Sequence, residues 1–224
     1  MTDETKRPLK TFALGDSLVP VLRLARAAGI PLLLSGDSGI GKSQFVRDHA
    51  AAAGLRLVVL NLALFESPGE LLGLPAIEDG VTRYKRPALL PIEGAGILLI
   101  EEAARSAPHV MAPFYEFLTS RRLGEYELPP GWSIVACMNP PGPDYDGHPF
   151  DRAMRDRFLH LDVAADLLQW LHWAERHRVH PRVLAALRGD ARLFFLASPR
   201  SWERAAALLR DAEQHGLEPA LLEP

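Results

Sequence analysis

Gly36-Asp37-Ser38-Gly39-Ile40-Gly41-Lys42-Ser43 fits the spacing G-x-x-x-x-G-K-S without a gap. Glycines at these places let the backbone curl closely, so that consecutive N–H groups point inward at the β-phosphate of a nucleotide. The motif demands a strand before it and a helix after it. Pro31 opens the apolar run Leu32-Leu33-Leu34, and residues 43–53 read as a helix stopped by Gly54. The start of that helix adds its positive dipole end. Lys42 is expected to reach the β- and γ-phosphates and Ser43 to ligate a metal ion. The expected bound group is ATP with Mg2+, cradled by Gly36, Asp37, Ser38, Gly39, Ile40, Gly41, Lys42 and Ser43.

Outward from this loop, strands and helices alternate. Residues 17–28 have helical spacing and end at Gly29; residues 55–62 form an apolar, β-branched run that predicts a buried strand. Ser67-Pro68-Gly69-Glu70 has the residues of a short helix start. Glu78-Asp79-Gly80 predicts a hairpin turn within 77–84, and Gly96-Ile97-Leu98-Leu99-Ile100 predicts a third buried strand that runs into Glu101 and Glu102. A helix is expected over 108–120, a short strand over 123–128 and a strand over 133–138, followed by Asn139-Pro140. Residues 140–149, rich in Pro, Gly and Asp, read as loop. A short helix over 151–157 and a fifth strand over 158–163 follow; beyond Ala164 the pattern is helical, over 166–176, 181–188 and 199–215.

This alternation predicts an α/β fold, a parallel sheet covered by helices on both faces, with a small all-helical unit at the C-terminal end. The expected division is a flexible N-terminus over 1–14, a nucleotide-binding domain over 15–163 and a helical lid over 164–224. Ligands of such sheets sit at the carboxyl ends of the strands. Three segments end in polar residues there: the glycine loop, Glu101-Glu102 and Asn139.

Bulk properties narrow the class. With 224 residues, 48% of them hydrophobic, the chain can bury a core. Its 25 basic and 28 acidic residues give a net charge of −3, which makes nucleic acid an unlikely partner. Cys137 is the single cysteine, so no disulfide framework exists. Residues 1–10 lack the apolar stretch of a signal peptide, and no apolar run approaches the ~20 residues of a membrane span. The expected location is the cytoplasm. Cys137, Trp170 and Trp173 read as core residues, and His172, His177 and His180 as surface histidines whose spacing fits no zinc pattern.

A carboxylate after the third strand can hold a metal shell, and the next can orient and polarise an attacking water. That assigns Glu101 to the metal and Glu102 to the water. The order of phosphate loop, acidic pair, strand plus Asn, then a helix with arginines resembles the AAA+ ATPases. Residues 97–108, Ile-Leu-Leu-Ile-Glu-Glu-Ala-Ala-Arg-Ser-Ala-Pro, look like the MoxR-like, dynein-related branch. Glu101 departs from the usual Asp of that branch, and Ala104 from its frequent Asn. Met138-Asn139-Pro140 matches its first sensor and Ala197-Ser198-Pro199-Arg200 its second.

The resemblance implies a P-loop NTPase sheet of AAA+ type and an ATPase. It implies that Asn139 contacts the γ-phosphate or its water and that Arg200 reaches the γ-phosphate from the lid. Arg157 is the expected arginine finger and Arg155 the second choice, serving a neighbouring subunit; ion pairs with Asp151 and Asp156 are an equal alternative. The resemblance further implies a homo-oligomeric ring, a hexamer by expectation. Its client or adaptor protein would be remodelled like a chaperone's, and could carry a von Willebrand A domain. Residues 74–91 and 123–130 look like the insertions by which such rings touch substrates. An ATP-dependent binding switch with weak hydrolysis and a nucleic-acid motor are the alternative functions.

Overall fold

The computed structural model describes residues 11–140 and 150–217. The expected lead-in over 1–10, the loop over 141–149 and the chain end over 218–224 lie outside the described residues. The elements are β1 (Phe12–Ala13), α1 (Val19–Ala28), β2 (Leu32–Ser35), α2 (Lys42–Ala52), β3 (Arg56–Asn61), α3 (Gly69–Leu72), β4 (Leu74–Glu78), β5 (Val81–Lys85), β6 (Gly96–Glu101) and α4 (Pro108–Ser120). They continue with β7 (Arg122–Leu123), β8 (Tyr126–Glu127), β9 (Trp132–Met138), α5 (Arg152–Arg155), β10 (Leu159–Ala164), α6 (Leu167–Arg176), α7 (Pro181–Gly189) and α8 (Pro199–Gln214).

Among the described residues the main sheet has six strands, in the order β1-β10-β2-β9-β6-β3. Every pair in it is parallel. The expected parallel sheet with helices on both faces is borne out, with one strand more than the sequence predicts. The addition is β1, within the stretch 1–14 expected to be flexible: Phe12 and Ala13 pair with Val163 and Ala164, and Leu14 is buried. Two residues are too few to carry a period, so the pattern gave no sign of it.

Strand residues alternate between two cores. Leu33, Leu98, Ile100, Ile134 and Ala136 face α4, packed with Phe114 and Phe117. Leu32, Leu34, Ile97, Leu99 and Val135 face α1 and α2, packed with Leu22 and Val46. Burial on both faces is why these strands read as unbroken apolar runs. The C-terminal helices have their own core of Trp170, Ala174, Val183, Leu187, Phe194 and Ala206. Each starts on a capping side chain: Asp166, His180 and Ser198 accept N–H bonds from Gln169, Arg182 and Ser201. His180, read from sequence as a surface residue, is buried and faces Glu213 at 3.1 Å.

Two antiparallel hairpins stand off the sheet. β4 and β5 join through Asp79-Gly80, both at positive φ, as the sequence predicts. The single strand predicted over 123–128 is instead the tight hairpin β7–β8, because Gly124 takes a left-handed conformation and turns the chain. Arg83 of β5 pairs with Glu125 at the β7–β8 turn at 3.6 Å, which links the two hairpins.

The phosphate loop leaves β2 where there is no room for a side chain. A Cβ on Gly36 meets the Val163 carbonyl oxygen at 2.2 Å and Ile40 Cδ1 at 2.8 Å. Gly36→Ala is therefore expected to destabilise the fold by about 1–3 kcal/mol through overpacking against backbone. Urea unfolding of the two proteins measures it, and equal midpoints would contradict it.

Candidate nucleotide site

β2 ends at Ser35, and the loop returns to the sheet edge when Gly36 N–H donates to the Met138 carbonyl at 3.2 Å. Gly39 and Gly41 hold φ of 76° and 101°, conformations that side chains oppose. Gly41 caps α2, so its first residues, Lys42 and Ser43, stand at the positive end of the helix. Lys42 is only 8% exposed. Its ammonium donates to the carbonyls of Gly36 at 2.6 Å and Asp37 at 2.8 Å, and to Asn139 Oδ1 at 3.0 Å. Two predicted site residues 97 positions apart thus touch. Burial depresses the Lys42 pKa below its ordinary 10.5, opposed by the charges of Asp37 and Glu102.

Glu101 is the last residue of β6, opposite Cys137 of β9. Burial pushes the Cys137 thiol up to about 12, and Lys42, Glu101, Ser43 and Arg47 all act on it. Ser43 and Glu101 line the same cavity and bring a hydroxyl and a carboxylate to it. These are hard oxygen donors, the kind Mg2+ takes alongside water and phosphate oxygens, so the residues fit that ion. Glu101 Oε1 is paired with Arg47 at 3.4 Å. Glu102 turns the chain with φ 53° and ψ 28°, a left-handed conformation that costs a non-glycine residue about 1 kcal/mol or more. Its carboxylate lies 3.4 Å from Arg105 Nε.

These groups line one cavity of about 1000 Å³. The C-terminal helices close its other side. Arg200 N–H donates to the Gly39 carbonyl at 3.0 Å, which brings the start of α8 onto the phosphate loop. Gln169 Oε1 accepts from Asp16 N–H at 3.0 Å, and Arg176 pairs with Asp16 at 3.3 Å. Trp173, read from sequence as core of the helical unit, packs against that core and also reaches across to α2: its indole N–H donates to Asp48 Oδ2 at 2.7 Å. His177 stacks on that indole at 4.3 Å. Trp173→Phe is expected to loosen this cross-cavity contact by about 1.5–3 kcal/mol, the worth of a hydrogen bond to a charged acceptor. Faster tryptic cleavage of the variant than of the unchanged protein reports it.

Arg155 and Arg157 do not line the cavity. Arg157 is engaged within its own chain, donating from Nε to the Tyr115 carbonyl at 2.9 Å and to Thr119 Oγ1 at 3.0 Å. Arg155 is exposed, and its side chain has no hydrogen bond or ion pair among the described residues. Asp151 is engaged by Tyr115 and caps α5, while Asp156 lies 3.7 Å from Arg152, so neither expected ion pair involves Arg155 or Arg157. Sequence reasoning missed Arg47, Asp16, Gln169 and Trp173. Arg47 was within reach, since it follows Ser43 by four residues and so shares its helix face. Gln169 meets Asp16 across 153 positions, which no local pattern encodes.

The pattern of the AAA domain (dynein-related subfamily) matches residues 31–158, from the strand before the phosphate loop to the residue before β10. The chain belongs to this subfamily. Among curated relatives of this AAA domain, BssE of Thauera aromatica, named as a candidate chaperone, is 31% identical over 166 residues, covering 66% of this chain and 58% of BssE. NorQ of Paracoccus denitrificans is 28% identical, covering 56% of this chain and 49% of NorQ. The denitrification regulatory protein NirQ of Pseudomonas aeruginosa is 30% identical over 54% of this chain and 50% of NirQ. The chain thus spans about half the length of the curated relatives it matches.

Solved structures agree on the fold. A candidate ATPase from Cytophaga hutchinsonii superposes with a TM-score of 0.58 at 20% identity, over 74% of this chain and 52% of that one. The Thermotoga maritima RuvB P216G mutant gives 0.57 at 17% identity, over 89% and 62%. The AAA+ assignment to the MoxR-like branch is borne out, and with it a nucleotide-binding fold. No described helix is long and apolar enough to cross a membrane.

Proposed function

We propose that this AAA domain hydrolyses ATP with Mg2+ and uses the cycle to remodel a partner protein as part of a homo-oligomeric ring. The observation that carries the reading is the contact of Lys42 with Asn139 in the cavity that Glu102 also lines. A γ-phosphate meets a cation, an amide and a carboxylate there, the set that in-line phosphoryl transfer to water requires. The loop amides and Lys42 bind the phosphates. Asn139 orients the attacking water, and Glu102 takes its proton. Ser43 and Glu101 would hold Mg2+, which supplies charge neutralisation at the β- and γ-oxygens. Arg200, on the first turn of α8, adds positive charge from the helical unit, which acts as a lid.

The finger is a neighbour's arginine in this reading. Arg155 is the stronger candidate of the pair, because its guanidinium is uncommitted whereas Arg157 staples α5 to α4. The linked hairpins β4–β5 and β7–β8, with Ile77, Val81 and Tyr84 exposed, are the surface offered to a client. The names of BssE and NirQ, one a candidate chaperone and one a regulatory protein, favour a protein client, for which a von Willebrand A domain is one candidate. A cytoplasmic site of action fits this reading.

Light scattering with and without ATP tests the assembly, with steady-state phosphate release measured alongside. Nucleotide-dependent growth to a ring of about six subunits, with turnover, is expected. A strict monomer that binds ATP without turnover would replace the motor by an ATP-dependent switch, the reading that Glu101 in place of aspartate favours.

A further inference from the structure

Glu101 differs from the aspartate usual at its position by one methylene, and the structure gives that extra reach a destination. Arg47 stands one helical turn beyond Ser43 on the same face of α2. Its NH2 group meets Glu101 Oε1 at 3.4 Å, with the two side chains 41% and 20% exposed. Among the described residues Arg47 is the ion-pair partner of this carboxylate. Ser43, Arg47 and Glu101 line the same cavity, and Glu101 lies opposite Cys137 in the β6–β9 register.

We propose that Arg47 is a positioning residue that competes with the divalent cation for Glu101, so that metal loading requires the Arg47–Glu101 pair to open. The proposal rests on the nucleotide reading of the site. One carboxylate oxygen cannot serve a guanidinium and a dehydrated cation with equal strength. The ion pair thus raises the metal concentration at which the site fills, and it keeps Glu101 ordered while the metal is away.

The test is a double-mutant cycle read by Mn2+ binding, followed as loss of the free Mn2+ electron paramagnetic resonance signal in the presence of ADP. Arg47→Met is expected to tighten Mn2+ binding about 2- to 5-fold, the range of a partly exposed ion pair. In a Glu101→Gln background the same change is expected to do nothing. Equal tightening in both backgrounds would reduce Arg47 to a diffuse positive field and overturn the proposal. So would an unchanged Mn2+ affinity in Arg47→Met. Metal-free binding of a fluorescent ADP analogue separates the layers. If no variant, nor the unchanged protein, binds the analogue with or without Mn2+, the nucleotide reading itself fails. If all bind it alike and the cycle shows no coupling, only the competition is wrong. A loss of metal-free analogue binding in Arg47→Met would make Arg47 a phosphate ligand instead, again against the proposal.

Discussion

Lys42→Ala is expected to weaken ATP binding about 10²- to 10⁴-fold, measured by calorimetric titration in the presence of Mg2+. An ammonium has three N–H groups, and all three are placed on oxygens, those of Gly36, Asp37 and Asn139. The site is therefore preorganised: a phosphate entering the loop exchanges places with acceptors already at bonding distance. Charge-assisted bonds are worth about 1.5–3 kcal/mol each, and removing two such bonds to phosphate oxygens accounts for the expected range. The fold should survive. Burial holds the folded Lys42 pKa below 10.5, so the charged side chain is a cost to the fold at neutral pH. That cost fades as pH rises through the window between the depressed value and 10.5, and stability contributed by this group is full only above it. The stability gap between the unchanged protein and Lys42→Met should accordingly shift in favour of the unchanged protein over that window. An ATP affinity changed less than fivefold by Lys42→Ala would remove the loop from the binding site.

Glu102→Gln is expected to slow single-turnover hydrolysis about 10²- to 10⁴-fold while leaving the ATP dissociation constant within about threefold. Glutamine keeps the shape and the hydrogen-bonding reach but cannot accept the water's proton. The carboxylate is close enough to act on the Lys42 ammonium, yet it rests against Arg105. In the proposed mechanism it would leave Arg105 and turn toward the water at the γ-phosphate, a rotation of its side chain on a fixed backbone. A drop of less than tenfold, with binding intact, would assign the general base elsewhere.

How far the fold could be read depended on local repetition. β2, β6 and β9 were legible because burial on both faces writes a continuous apolar run. The β4–β5 hairpin was legible because Asp79-Gly80 has the backbone freedom its turn demands. β1 was not, since a two-residue edge strand is made by its partner rather than by itself. β7 and β8 were merged into one strand because Gly124-Glu125 interrupts an alternation that otherwise continues. At the site, residues of the glycine loop, Glu101, Glu102 and Asn139 were named by their motifs, and the fold brings them to one cavity. What the motifs could not supply were partnerships across the fold: Lys42 with Asn139, Arg47 with Glu101, Trp173 with Asp48. Those depend on strand order and on how the helical unit seats, which emerge only when the chain closes.

The backbone at position 102 has a further implication. Left-handed geometry suits glycine or asparagine, so a glutamate there costs stability, a cost that the catalytic role proposed for it would justify. Laboratory evolution under heat alone, with no demand on turnover, should accept glycine or asparagine at this codon, yielding hardier descendants that have lost the proposed base.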